Sequence, residues 1–430
     1  MKRQLASSIL GMLLLSSCNN ANLNSFNLEP FDQDGVLKET FLESYQTPVL
    51  PDSIGIYIES SGSMNGLFRR NYPTKFKHNV SAIIMDNEIA SRTISGKVFD
   101  RNCKPIEYNL HDFKDKMNNG GFVSQASTDV PNMLEVIIKE LNKKKHDVSV
   151  FISDMKYAPN QNPNVKSSQY DIEIKSLFST ISDKSVSVIG CESEYLRPDG
   201  KIKCSEFPYY ITIIGESSKT LWLRNRILSI LQEDKNVKGT LDFNYHIDKP
   251  NYTLVPSSCN GFSLNRMEVL KDSKLKGRSY SLLGYNESVV PSGFLVAADY
   301  NSLPKELLDS LCIEDFDIDT NLKSLHVSVE KLSRKSDPSK TVKGLANPNV
   351  FIEFKMNGLD KIKEDVLSIR LNDRKNSTTW LEKYYGADHD SVCSKTVSID
   401  DFLKGLTSAY DDKNVWQKSP MYIFVTEKNN

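Results

Sequence analysis

An acidic residue and two hydroxyls at alternating positions, Glu59, Ser61 and Ser63, follow directly on the apolar run Ile54-Gly-Ile-Tyr-Ile58. Carboxylate and hydroxyl oxygens suit a hard divalent cation such as Mg²⁺ or Mn²⁺. Such an ion takes a near-octahedral oxygen shell and keeps several waters, so a few side chains from separate loops suffice. Two further oxygen donors stand in comparable places. Thr128 lies in Ser127-Thr128-Asp129 ahead of an apolar-periodic stretch, and Asp154 closes Val148-Ser-Val-Phe-Ile-Ser153. Each has a plainer reading: a Ser/Gly turn after a buried strand, a helix N-cap at Thr128 and a loop carboxylate at Asp154. The other chemistry open to Ser61 or Ser63 is nucleophilic, and that needs a base. The six histidines are dispersed singly, and Asp388-His389-Asp390 is the nearest approach to a catalytic cluster. No G-x-S-x-G, H-E-x-x-H or Walker sequence occurs, so a non-enzymatic protein is expected.

These donors need strands and helices to hold them. Residues 54–58 and 148–152 read as short buried strands, and Met133, Leu134, Ile137, Ile138 and Leu141 share one face of a helix predicted over 130–143. Further strands are predicted at 96–99, 106–110, 186–189 and 209–214, and further helices at 76–89, 172–181 and 220–232. Strands alternating with helices predict an α/β fold with a doubly wound, mostly parallel sheet. In such a sheet the loops beyond the carboxyl ends of the strands form the ligand crevice. The short separation of 96–99 from 106–110 predicts a hairpin, hence one antiparallel edge.

The segment Glu59-Ser-Ser61-Gly-Ser63 resembles the D-x-S-x-S signature of von Willebrand factor A (vWA) domains, with Glu in place of the first Asp. Thr128 and Asp154 follow in the order in which that family adds its remaining site residues. The resemblance implies a vWA/Rossmann-like domain over 53–235 with a metal-ion-dependent adhesion site. There Ser61 and Ser63 would ligate Mg²⁺ or Mn²⁺ directly, Thr128 directly or through water, and Glu59 and Asp154 through water. An open coordination position would accept an Asp or Glu carboxylate of a protein partner. The extra methylene of Glu59 is either absorbed by a shifted water or spoils the octahedron. A metal-free structural scaffold is therefore the alternative expectation, and a hydrolase a more distant one.

The amino terminus carries a second signal. Lys2 and Arg3 precede an apolar stretch over 5–15, and Leu15-Ser16-Ser17-Cys18 resembles a bacterial lipobox. Residues 1–17 then read as a signal peptide and Cys18 as the lipidated first residue of the mature chain, with a tether over 18–52. The stretch is too short to span a bilayer, which takes about 20 apolar residues. Several acyl chains, each contributing about 0.8 kcal/mol per buried methylene, hold such a protein at a membrane without a spanning segment. Asn19 does not resemble the inner-membrane retention signal of enteric lipoproteins, so an outer-membrane location in a bacterial cell envelope is expected.

The formal charge of −1 falls to −3 once Lys2 and Arg3 are removed, leaving no basic field for nucleic acid. The basic run Lys143-Lys144-Lys145 sits where cations favour a helix C-terminus. Setting Cys18 aside leaves Cys103, Cys191, Cys204, Cys259, Cys312 and Cys393, with no C-x-x-C spacing. An oxidising compartment permits disulfides among them. Cys191 and Cys204, flanking a predicted strand connection, are the expected pair. From 236 to 430 the pattern changes to period-two segments near 241–247, 252–255, 279–284, 294–298, 325–329, 350–356, 366–371 and 421–426, with helices near 304–312 and 399–408. This predicts a β-rich, α+β second domain, for which a sandwich of about 100 residues with helical insertions is one fitting arrangement.

Overall fold

The computed structural model describes residues 49–427 except 101, 123–128, 158–168, 198–199, 201–202, 233–235, 248–250, 255–261, 270–278, 286–292, 321–324, 335–348, 360–363, 387–392, 412–414 and 419. Cys18, Thr128, Cys259 and the 388–390 triplet lie outside the described residues. The chain forms two compact units. One joins Val49–His246 to Asp373–Trp416, and the other contains Ile247–Asn372 and Gln417–Asn430. A single cut near residue 235 does not divide the chain in this way, because residues 373–416 group with the first unit.

The first unit runs β1 (Ser53–Ile58), α1 (Lys75–Met85), α2 (Asn87–Ala90), β2 (Thr93–Phe99), β3 (Pro105–Tyr108), α3 (Leu110–Asn119), α4 (Val130–Asn142), β4 (Val148–Ser153), α5 (Tyr170–Ser179), β5 (Ser185–Leu196), β6 (Lys203–Gly215), α6 (Ser217–Gln232) and β7 (Val237–Phe243). The returning segment adds α7 (Ile399–Ala409). The strands form one seven-stranded sheet in the order β3-β2-β1-β4-β6-β5-β7. β1 is parallel to β2 and to β4, whereas the remaining four pairs are antiparallel. The α/β character holds, with the expected β2–β3 hairpin at one edge. The expectation of a mostly parallel sheet does not, because the long β5–β6 hairpin inserts β6 beside β4 and β7 turns back along β5.

β1 is buried from Ile54 onward and β4 along its whole length because both of their faces are covered. Alternation along the strands divides the core. Ile54, Ile56 and Ile58 pack with Phe76 and Val80 of α1, Phe113 of α3 and Ile227 of α6. Tyr57, Phe151 and Tyr210 face the other way, with Leu134 of α4, Ile174 of α5 and Phe402 of α7. Helices therefore cover both faces. Arg224 of α6 is fully buried and reaches Asp242 of β7 with both ends of its guanidinium, at 2.7 and 2.8 Å.

The returning segment closes the β7 edge. The Asn376 side chain donates to the Asp242 carbonyl at 3.0 Å and accepts from its N–H at 2.8 Å, as a neighbouring strand would. Trp380 lies flat against Gly190 of β5 and Gly239 of β7, where an added Cβ would come within 2.2 and 2.4 Å of its ring. Glu192 accepts from Lys383 and Tyr384 at 2.7 Å and pairs with Lys238 at 2.8 Å.

In the second unit, Phe262–Val269, Ser279–Tyr285, Met421–Glu427, Glu364–Leu371 and Phe316–Thr320 form a five-stranded sheet in that order. Leu325–Arg334, Val350–Leu359, Gly293–Asp299 and Asn251–Leu254 form a four-stranded one. The β-rich reading matches, while Phe262–Val269 and Phe316–Thr320 were not among the predicted strands.

Candidate functional site

The register of β1 on β4 places Ile58 opposite Ile152, so the residues after both strands emerge side by side. The Glu59 N–H extends the ladder by donating to the Ile152 carbonyl at 3.0 Å. Glu59 and Asp154 thus leave the carboxyl ends of adjacent parallel strands, where an open α/β sheet gathers its ligands. Both are fully buried, and Ser61 is 1% exposed.

The Ser153 hydroxyl donates to the Glu59 carboxylate and accepts from the Met155 N–H at 2.7 Å. This bond holds Glu59 toward β4. Met155 takes a left-handed backbone, φ 56°, which turns the chain sharply after Asp154. Asp154 Oδ1 accepts from the Lys156 N–H at 3.1 Å, closing that turn. Ser63 hydrogen bonds to the Asp154 carboxylate, and the Ser61 and Ser63 hydroxyl oxygens are 2.8 Å apart. The loop carrying the serines is anchored from below: Met64, Leu67 and Phe68 are buried, and the Ser60 hydroxyl donates to the Phe99 carbonyl at the end of β2 at 3.3 Å.

The structure therefore brings together Glu59, Ser61, Ser63 and Asp154 of the expected set. Thr128 lies outside the described residues, and the N-cap of α4 is its neighbour Asp129, whose carboxylate accepts from the Asn132 N–H at 3.2 Å. Ser153 and Tyr170 are additions that sequence reasoning missed. Ser153 is legible in hindsight, because a parallel register that matches Ile58 with Ile152 sets residue 153 beside residue 59. Tyr170 reaches the cluster from α5 and stacks on Tyr157 with ring centroids 4.3 Å apart. Nothing local in the sequence marks it.

The electrostatics are those of crowded carboxylates. Burial pushes the Asp154 carboxyl above its ordinary range, against the opposing pull of the Lys156 ammonium and the Ser63 hydrogen bond. Burial and then Asp129 raise Glu173. The Cys103 thiol is pushed up to about 11 by burial, then by Asp129, Asp100 and Glu59. Tyr157 is pushed up to about 12 by burial and then Glu173. Glu59 and Asp154 both act on Tyr170, whose hydroxyl burial already keeps well above its usual range. Asp154 Oδ2 is buried with no hydrogen-bond partner, as is the Tyr170 hydroxyl. A buried carboxylate oxygen in that position calls for a cation or a donor.

Tested against Mg²⁺, the donor set fits. Oxygens in adjacent octahedral positions at 2.0–2.1 Å from the ion stand about 2.9 Å apart. The Ser61 and Ser63 hydroxyls are hydrogen bonded to each other at 2.8 Å, a separation close to that edge, and Ser63 also touches Asp154. Among the described residues no three His, Cys, Asp or Glu side chains converge closely enough to hold a metal by themselves.

The cysteines correct one expectation. The β5–β6 ladder sets Cys191 opposite Tyr209 and Tyr195 opposite Cys204. Four residues of strand, roughly 13 Å at 3.3 Å per residue, separate the two cysteine positions. A disulfide needs Cα atoms within about 7 Å. Cys191 and Cys204 therefore do not pair. Cys191 is buried, and burial pushes its thiol up to about 12.

No protein family, curated protein or solved structure matches the chain.

Proposed function

We propose that the first unit is a vWA-like, metal-dependent binding module on a lipid-anchored protein of a bacterial cell envelope. The reading rests on one observation above the rest: Asp154 Oδ2 is fully buried without a hydrogen-bond partner, in a carboxyl group that Ser63 touches and beside the hydrogen-bonded Ser61–Ser63 pair. In this proposal Ser61 and Ser63 hold Mg²⁺ or Mn²⁺ directly. Asp154 and Glu59 supply charge through water, the latter oriented by Ser153. The ion's role is to offer an open position to a carboxylate of a protein partner. Without it, the crowded carboxylates repel such a partner, so binding is switched by the cation. In this reading the chain's own residues bind and orient. The lipobox at Cys18 carries the anchoring part of the proposal, and no helix among the described residues is long and apolar enough to cross a membrane.

A second reading has its own support. Glu59 is already engaged by the Ser153 hydroxyl, as a metal-free scaffold would arrange it. Isothermal titration of the protein from Asn19 onward with Mg²⁺ and Mn²⁺ separates the two. Saturable binding with one ion per chain, abolished by Asp154→Ala, is the expected result. No heat with either ion would leave the fold intact and make it a scaffold.

A further inference from the structure

Cys204 and Cys393 stand 189 positions apart in sequence. Cys204 lies on β6, and Cys393 lies in the segment that returns from the second unit. Both pack on the core cluster under α1 and α6, and their thiols are within hydrogen-bonding reach of each other. The surrounding contacts fix this meeting independently. Lys383 pairs with Glu192 and with Glu206 two residues along β6 from Cys204, at 2.7 and 3.2 Å. Tyr210, further along the same strand, donates to the Thr396 hydroxyl at 3.3 Å. The Thr396 N–H donates to the Tyr384 carbonyl at 2.9 Å. Cys393 is thus carried on a stretch docked at both ends.

We propose that Cys204 and Cys393 form a disulfide that fastens the returning segment to β6. The oxidant rests on the function proposed above: an envelope location supplies a disulfide compound or a thiol–disulfide oxidoreductase. One thiolate attacks a sulfur of the external disulfide and expels a thiol; the second cysteine then attacks the mixed disulfide and expels the other. Two protons and two electrons pass to the donor, which is reduced to two thiols. The two sulfurs close to about 2.0 Å. Cys103, Cys191 and Cys312 take no part. Cys191 is sealed in the core, and Cys103 and Cys312 have Asp129 and Asp315 as their thiol neighbours.

Two arms test this and keep its failure apart from that of the envelope reading. In the first, the purified reduced protein is incubated with oxidised glutathione, alkylated, digested and mapped by mass spectrometry. The expected product is a peptide pair joining Cys204 to Cys393, lighter by two hydrogens, with a rise in melting temperature that Cys204→Ser and Cys393→Ser both lack. Persistent alkylation of both thiols, or a bond from either one to a different cysteine, overturns the geometry. In the second, free thiols are trapped in intact cells before lysis. A protein oxidised at this pair in the cell supports the proposal in full. A protein that oxidises in the tube but is found fully reduced in cells overturns the disulfide as a native feature, while the envelope reading is tested separately by labelling of the lipidated Cys18 with a radioactive or clickable fatty acid.

Discussion

Replacing Asp154 by Asn removes a buried charge while keeping the side chain's shape. Its Oδ2 has no hydrogen-bond partner, and Lys156 and Ser63 only partly offset its burial. A buried acceptor left unsatisfied costs roughly 1–3 kcal/mol, and more when it carries charge. A unit of this size shifts about 2–4 °C in Tm per kcal/mol, so Asp154→Asn should melt about 2–12 °C above the wild type in a chelator at pH 7. The sign with pH follows from linkage. Because the folded-state pKa lies above the unfolded one, both states are protonated below about pH 3 and the penalty is absent. As pH rises the unfolded chain loses its proton first, and the folded wild type loses stability until its own higher pKa is passed. The Asn variant lacks that slope. With Mg²⁺ at about a hundredfold over its Kd, the wild type should gain about 2.7 kcal/mol, or about 5–11 °C, and the variant nothing. Scanning calorimetry from pH 4 to 8, with EDTA and with Mg²⁺, measures all three effects. An Asn variant that is less stable than the wild type in EDTA, or that keeps the Mg²⁺ shift, would refute the reasoning.

Arg224→Met leaves the Asp242 carboxylate buried without its forked partner and should cost about 3–5 kcal/mol in urea unfolding, whereas adding Asp242→Leu should recover most of the loss. A double variant as weak as the single one would show that the pair is not the source. Glu192 would be raised by burial, yet the hydrogen bonds from Lys238, Lys383 and Tyr384 hold it at about 2. Its stabilising contribution, roughly 3 kcal/mol, is therefore complete above about pH 4.5 and lost as pH falls toward 2. Glu192→Gln should flatten that acid limb in pH-dependent urea midpoints; an unchanged limb would mean that the clamp contributes little.

Much of the first unit was legible because burial on both faces favours a mainly apolar stretch, as in Val148, Val150, Phe151 and Ile152 of β4, and burial on one face forces the spacing of Met133, Leu134, Ile137 and Ile138. The missed parts have physical reasons. α3 shows only Phe113 and Met117 to the core within an otherwise polar stretch, too thin a stripe to register. β5 and β6 run on into mixed polar residues at 190–196 and 203–208, where partners from 373–416, rather than local pattern, decide the structure. The attachment of that segment is a long-range event: two glycines make room for Trp380, and neither the glycines nor the tryptophan names the other in sequence. For the candidate site, the strand ends gave Glu59 and Asp154 and the hydroxyl spacing gave Ser61 and Ser63. The cysteine pairing misled because nearness along a hairpin was read as nearness across it.

The interleaving of the two units sets an order of events for the newly made chain. When residue 246 emerges from a ribosome or a translocation pore, the seven strands exist, but the apolar face of α5, with Ile174 and Phe178, still lacks α7. The second unit waits in turn for Met421–Glu427, which lies between Ser279–Tyr285 and Glu364–Leu371 in its five-stranded sheet. Neither unit can finish before nearly the whole chain is out. Folding from one end to the other is closed to it, and a growing chain stalled anywhere between residues 246 and 399 would carry a bare hydrophobic patch that only a chaperone could shield.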